Sequence, residues 1–398
     1  MKRVFINTLI ITSLVFMIAS CKQTPKDPTA AAMDKITNLI AERYSMGKDE
    51  KAPGCAIVIQ KGDSILLEKY IGYADLFFEQ KISSLTHFNI ASCSKQFTAA
   101  AILRLAEEGK IDINASIYDI SPEINKYLPK KEKPFTDITP ALLMAHSSGI
   151  PDARPRDNRD FVLHATDMQS IEYLKDLDSL NFEPGTKYEY INPTFQLLYL
   201  FIENITGESF EKYMYSTCFY PAKMYNTKYF SPNTSILNMA HGYIPDPEKD
   251  KTWKEYDYGE ENFFGTKADG GIYASALEMA HWITALRDNK VITELSKSKM
   301  WTPTTLVYGS ELCDYQNRPN TFYGLGWFIE QQPDYPLKVY HTGDNGGFQA
   351  YEGYFPEADV AVIILENRND KPRWELVEKI DAILKDAGLL DAPKAAEN

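Results

Sequence analysis

Residues 54–71 read GCAIVIQKGDSILLEKYI, and the reading of this stretch sets the fold class. The apolar run at 54–60 has strand length and Lys61-Gly62-Asp63 is a tight turn. Residues 64–71 form a second strand, so the segment predicts a β-hairpin close to the N-terminal end. Outward from it, strands return only past residue 320, at 323–330, 338–342, 349–355 and the unbroken apolar run VAVIIL at 360–365. From about 110 to 260 the chain reads as helix and loop, punctuated at Pro134, Pro140, Pro151, Pro184-Gly185 and Pro193. Helices are predicted at 31–44, where Met33, Ile36, Leu39, Ile40 and Tyr44 recur with helical period, and at 91–108, stopped by Gly109. Two more are predicted at 193–206, ended by Gly207, and at 372–384, with Trp374, Val377, Ile380 and Leu384 on one face. Strands from both ends around a helical middle predict an α+β domain, not a doubly wound parallel sheet. The domain spans 31–388, with a sheet lobe of about 31–90 and 262–388 and an inserted helical lobe of about 91–261.

With 398 residues, 44% of them apolar, the chain can bury a substantial core. Its net charge of −13 disfavours phosphate backbones, and the basic run Lys130-Lys131-Glu132-Lys133 is short and interrupted, so no nucleic-acid partner is expected. Lys2-Arg3, the mostly apolar stretch 4–18 and Ala19-Ser20 read as a signal peptide over 1–20. Ile18-Ala19-Ser20-Cys21 resembles the lipobox of bacterial lipoproteins. That resemblance implies an acylated Cys21, a flexible tether over 21–30, and a cell-envelope protein facing the periplasm or exterior. The membrane is then met through the lipid anchor only, since no later stretch reaches the ~18 apolar residues of a spanning helix. Cys55, Cys93, Cys218 and Cys313 are expected to be buried free thiols, although an oxidising compartment permits disulfides.

Three short elements carry chemistry. S-x-x-K occurs four times, at Ser45/Lys48, Ser92/Lys95, Ser209/Lys212 and Ser296/Lys299. Only Ser92 follows a strand-like segment and opens an apolar-faced helix, where its own N–H is available to a developing oxyanion and Lys95 projects from the same face. To act as a base, Lys95 must drop from a reference pKa near 10.4 by about three units, roughly 4 kcal/mol. Tyr190-Ile191-Asn192 precedes a helix, so a phenol and an amide can reach across a cleft. His341-Thr342-Gly343 ends a predicted strand, where glycine permits close approach and the following N–H, that of Asp344, can complete an oxyanion hole. Each element alone also admits a plainer reading: a solvated helix lysine, a tyrosine packed on a loop, a strand turning at glycine.

Together, in this order, they resemble the signature of serine β-lactamases and penicillin-binding proteins. Tyr-x-Asn in place of S-D-N is similar to the branch of class C β-lactamases, D-alanyl-D-alanine carboxypeptidases and esterases. Flanking stretches share the likeness: Phe88–Ser92 (FNIAS), LLMAHSSG at 142–149, Phe182-Glu183-Pro184-Gly185-Thr186, Asp269-Gly270-Gly271-Ile272 and Tyr323-Gly324-Leu325-Gly326-Trp327. The resemblance implies a β-lactamase/transpeptidase-like fold, an antiparallel sheet flanked by helices, acting on a small-molecule or peptide acyl substrate without cofactor or metal. It implies Ser92 as nucleophile, Lys95 and Tyr190 as proton acceptors, and backbone N–H groups of Ser92 and Asp344 at the oxyanion. Asn192, His341, Thr342, Gly343 and Asp344 then line the substrate.

One departure bears on substrate. Lactamases of this branch usually carry lysine where His341 stands. An imidazole there is mostly neutral at pH 7 and would gain charge toward pH 6, while Asp344 adds a negative charge nearby. The expected activity is therefore cleavage of an ester or amide, D-amino-acid peptides included. The alternatives are a class C-like β-lactamase and a non-catalytic envelope protein binding peptidoglycan or a partner. G-x-S-x-G and H-E-x-x-H are both missing from the sequence.

Overall fold

The computed structural model describes residues 27–45, 51–155, 157–158, 161, 164–231, 235–249, 252–256, 265–306 and 318–391. The leader, Cys21, residues 22–26 and Cys313 lie outside the described residues. Eight strands make one sheet: β1 (Cys55–Lys61), β2 (Ser64–Ile71), β3 (Thr305–Leu306), β4 (Thr321–Tyr323), β5 (Phe328–Glu330), β6 (Lys338–Asn345), β7 (Phe348–Phe355) and β8 (Val360–Glu366). Their order is β3-β4-β5-β6-β7-β8-β1-β2, and every neighbouring pair is antiparallel. The N-terminal hairpin thus closes on the C-terminal strands, with Ile57 opposite Ile364 and Val58 opposite Ile363.

Five helices position the core and the candidate residues: α1 (Pro28–Arg43), α2 (Lys95–Glu107), α3 (Asn192–Thr206), α4 (Ala276–Arg287) and α5 (Arg373–Asp386). Alternation along the strands divides their side chains between the two faces of the sheet. Ile57, Ile59, Val362 and Ile364 join Ile36 and Ile40 of α1 and Val377 and Ile380 of α5. Ala56, Val58, Ala361, Ile363 and Leu365 join the larger core with Phe97 of α2, Phe195 of α3 and Met279 of α4. Helices on both faces explain why 360–365 carries no polar alternation.

Several predicted boundaries move. The strand expected over 338–342 runs over Lys338–Asn345, and a short strand, Thr305–Leu306, precedes residue 320. The strand expected over 323–330 is a hairpin, β4 and β5, because Gly326 takes φ 76° and the N–H of Gly324 bonds back to the carbonyl of Trp327 at 2.8 Å. The first helix starts earlier than predicted: α1 begins at Pro28, whose ring suits the first helical position, and Asp27 accepts the N–H of Thr29 at 3.1 Å. Cys55, Cys93 and Cys218 are buried free thiols. No helix among the described residues is long and apolar enough to cross a membrane.

Ile363 is fully buried between β1 and β7. Ile363→Ala should lower stability by about 2–5 kcal/mol, read as a lower urea midpoint at unchanged slope. A midpoint equal to wild type would contradict the packing described.

Candidate active site

Ser92 sits in a 3-10 turn, Ala91–Ser94, that runs directly into α2 at Lys95. The predicted single helix over 91–108 is therefore two pieces, and the difference has a consequence. In a 3-10 turn side chains three apart eclipse one another, so Ser92 and Lys95 stack on one side. The turn is held tightly. Ala91 has φ 46°, rare without glycine, and its N–H donates to Oδ1 of Asn89 at 2.8 Å. The N–H of Ile90 bonds the carbonyl of Ile272, and the Cys93 thiol reaches the carbonyl of His341 at 3.5 Å. Against this turn lies β6. A Cβ at Gly343 would meet the Ile90 carbonyl oxygen at 2.3 Å, which accounts for the glycine.

Lys95 is completely buried while Ser92 is partly exposed. The Lys95 amine donates to Oγ of Ser92 at 3.3 Å, to Oδ1 of Asn192 at 2.9 Å and to the backbone carbonyl of Asp269 at 2.9 Å. All its donor directions are used. Burial pulls its pKa down to about 8; the Asp269 carboxylate opposes that fall and the positive charge of Arg154 adds to it. The amine also lies 4.9 Å from the centre of the Tyr190 ring and 5.5 Å from that of Phe195. Asn192 reaches Lys95 because it is the first residue of α3, immediately before Pro193.

The Ser92/Lys95 pair is thus brought together with Tyr190 and Asn192, the latter 97 residues beyond Lys95. His341 is near them, its ring 6.3 Å from that of Tyr190, but it is buried at 1% exposure. Its Nδ1 donates to the carbonyl of Thr342 at 2.7 Å, which leaves Nε2 to accept the Tyr323 hydroxyl at 2.9 Å. Burial, then the charge of Lys95, pull its pKa down to about 3. The expectation that His341 gains charge near pH 6 is therefore corrected: the imidazole stays neutral there. Thr342 is buried, and Gly343 packs on the turn that carries Ser92. Asp344 is half-exposed and ion-paired with Arg373, which also donates to the carbonyls of Gly343 at 2.9 Å and Ala350 at 2.6 Å. Its negative charge is compensated, contrary to the reading from sequence.

Sequence reasoning missed the Asp269 carbonyl, Tyr323, Arg373 and His146, which packs on Tyr190 with ring centres 4.2 Å apart. The first two and His146 sit in flanking stretches that carried the family likeness, where nothing in the residue types announced a contact with Lys95 or Tyr190. Arg373 carried no signal at all.

The family described as Beta-lactamase matches residues 34–384. Protein flp of Staphylococcus aureus (strain N315) is 27% identical over 331 residues, 83% of this chain; the chain spans only 62% of that relative's length. Penicillin-binding protein 4* of Bacillus subtilis (strain 168) is 26% identical over 354 residues, 86% of this chain and 73% of its own. Among solved structures, the penicillin binding protein from Bacillus halodurans superposes with TM-score 0.72 at 25% identity, covering 87% of this chain and 98% of that one. The D-amino acid amidase from Ochrobactrum anthropi SV3, complexed with L-phenylalanine amide, gives TM-score 0.69 at 20% identity, covering 90% and 97%; at that distance the likeness is one of fold.

The buried amine makes a direct prediction. In a 13C NMR titration of lysine Cε, one resonance should titrate at about 8 and be missing from Lys95→Met. Were every lysine to titrate within about one unit of 10.4, the environment assigned to Lys95 would be wrong.

Proposed function

We propose, for a chain that belongs to the β-lactamase family, that it is a serine hydrolase cleaving an ester or amide, D-amino-acid peptides included, through an acyl-enzyme on Ser92. The observation that carries this reading is the buried Lys95 amine, 3.3 Å from the Ser92 hydroxyl and lowered to about 8. A solvated helix lysine would have neither property. Roughly a tenth of such amines are neutral at pH 7, enough for general-base catalysis.

In this mechanism neutral Lys95 takes the Ser92 proton as Oγ attacks the substrate carbonyl. Backbone N–H groups of Ser92 and Asp344 receive the oxyanion. As the tetrahedral intermediate collapses, the bond to the leaving group breaks and the proton passes to it through Lys95 and Tyr190. Asn192 orients both Lys95 and the substrate amide. Water then attacks the acyl carbonyl, its proton passing through the Tyr190 hydroxyl to neutral Lys95, and as the acyl–Oγ bond breaks Lys95 returns that proton to Oγ, releasing the acid and restoring the Ser92 hydroxyl. The chain is further proposed to be anchored through an acylated Cys21 in the cell envelope, on the strength of the lipobox and the short tether before α1.

Substrate charge follows from His341. A lysine there would give a carboxylate a charge-assisted hydrogen bond of about 1.5–3 kcal/mol, about 10- to 150-fold in kcat/KM. The neutral, doubly bonded imidazole forgoes it, so uncharged esters and amides are favoured over penicillins.

A fluorophosphonate should add its mass to wild type at Ser92 and leave Ser92→Ala unmodified; Lys95→Ala should be nearly as inert because the two act as a unit. Labelling that survives in Ser92→Ala would sink the assignment. The kcat/KM for a neutral ester should rise about tenfold per pH unit and level off at about 8, where Lys95 has lost its proton. A flat profile between pH 6 and 8 would exclude Lys95 as the base.

Benzylpenicillin should be turned over more slowly than a short-chain ester, in a ratio unchanged from pH 6 to 8 because His341 does not titrate there. His341→Lys should raise that ratio. A wild type that prefers benzylpenicillin would replace this reading with a β-lactamase.

A further inference from the structure

The segment that carries Tyr190 and Asn192 is zipped to another one. The N–H of Asn181 donates to the carbonyl of Gly149 at 2.7 Å, that of Gly185 to Ser147 at 2.8 Å and that of Glu189 to His146 at 2.9 Å. The Ser147 hydroxyl adds a bond to the carbonyl of Lys187 at 2.6 Å. Gly149 permits this approach: it takes φ 78°, and a Cβ there would lie 2.1 Å from the Phe182 carbonyl oxygen. At the site end of the zipper the last bond is made by a side chain. The N–H of Ile191, the residue between Tyr190 and Asn192, donates to Nδ1 of His146 at 3.2 Å.

His146 therefore grips the segment through its backbone carbonyl, through Nδ1 and through its ring. The imidazole packs on Tyr190 with ring centres 4.2 Å apart and a 37° tilt, and on Tyr323 and Phe195 at 5.0 and 5.2 Å. Its backbone takes φ 54°, an uncommon conformation that histidine and asparagine enter more readily than most residues. Such strain persists where the surroundings over-determine it. Accepting an N–H at Nδ1 places the ring proton on Nε2 and keeps the imidazole neutral. Nε2 is buried and has no hydrogen-bond partner among the described residues, so its part is not to relay protons through a chain. A cation in this place would repel Lys95.

We infer that His146 is a positioning residue of the hydrolytic centre: its Nδ1 anchors the Ile191 amide, and through that bond it holds Tyr190 and Asn192 against the Lys95 amine. This rests on the reading of Ser92 and Lys95 as the reacting pair. Loss of the anchor frees the two side chains by about an ångström and admits water beside Lys95. Misplacement on that scale costs about 100-fold. Hydration weakens the burial that holds the amine's pKa down, so the pH profile moves upward.

Two substitutions separate the ring from the acceptor. His146→Asn keeps an acceptor in reach of Ile191 and tolerates the positive φ; His146→Phe keeps a ring and removes the acceptor. With p-nitrophenyl acetate, His146→Phe should lose about 100-fold in kcat, leave KM within a few-fold, and shift the rising limb of its pH profile to higher pH. His146→Asn should keep most of kcat and the wild-type limb. A folded His146→Phe with wild-type kcat and limb would overturn the inference. So would equal losses in both variants with the limb unmoved, the signature of a merely structural residue. Should His146→Phe not fold, His146→Asn decides: a wild-type limb with most of kcat retained supports the inference, and a loss like that expected of His146→Phe overturns it. Fluorophosphonate mass labelling of the wild type is the separate control. If Ser92 is not labelled, the reading of the reacting pair fails and this inference with it; if it is labelled and both variants behave as wild type, this inference alone fails.

Discussion

The centre of this molecule is organised around an amine that has been taken out of water. Burying an unpaired ammonium is costly, and among the described residues Lys95 has no carboxylate in hydrogen-bond contact to balance it. Its three hydrogen bonds go to neutral oxygens, those of Ser92, Asn192 and the Asp269 backbone. The easiest relief is loss of the proton, which is why its pKa falls to about 8. A lysine that sheds its proton near neutral pH beside a hydroxyl is the physical basis for reading the site as hydrolytic. Each neighbouring element can be understood as supplying one acceptor while keeping water out: the 3-10 turn Ala91–Ser94, the start of α3, and the loop before Ile272.

Delivering those acceptors depends on the antiparallel sheet. β6 runs behind the Ser92 turn, and Gly343 lets it come close enough for a Cβ to be excluded. The strained φ of Ala91, the Asn89 side chain on its N–H and the Cys93 thiol on the His341 carbonyl all fix the turn to that strand. Behind it, Gln96 bonds both Trp282 and the buried Glu352, whose carboxyl is pushed up to about 8 by burial. The turn that carries Ser92 is therefore seated on a packed interior, which suits a site needing fixed geometry.

What was legible in the sequence is what is local. The hairpin at 54–71 and the run at 360–365 were readable because strand period and burial write themselves into consecutive residues. Ser92 with Lys95 was readable for the same reason, their spacing being set by one helical turn. The pairing of β1 with β8 could be anticipated only as a layout, since register between strands some 300 residues apart leaves no local trace. The break at Gly324–Trp327 was missed because a hairpin and a long strand share the same apolar residues on either side of it. Backbone contributions were invisible: Lys95 bonds the carbonyl of Asp269, and a carbonyl has no residue type to betray it. The protonation of His341 was misjudged for a related reason, since the residue name gives a reference pKa near 6.5 whereas burial between Tyr323 and the Thr342 carbonyl decides the actual one.

These corrections alter the charge character of the candidate site more than its geometry. From sequence, the site held a titratable imidazole and an uncompensated carboxylate, two features that would make its preference vary with pH. In the structure both are disarmed. His341 is locked neutral by hydrogen bonds at both nitrogens, and Asp344 is tied to Arg373, whose guanidinium also bonds the carbonyls of Gly343 and Ala350. His146, accepting a backbone N–H at Nδ1, is neutral as well, and its burial and the charge of Lys95 hold it so. Two imidazoles thus flank Tyr190 without contributing charge, while the Lys95 amine beside Ser92 has a pKa lowered to about 8. Under the proposed reading, an arrangement of this kind separates two properties that a second lysine would merge: the proposed base can be tuned by burial alone, and recognition of the substrate would be left to shape and hydrogen bonding.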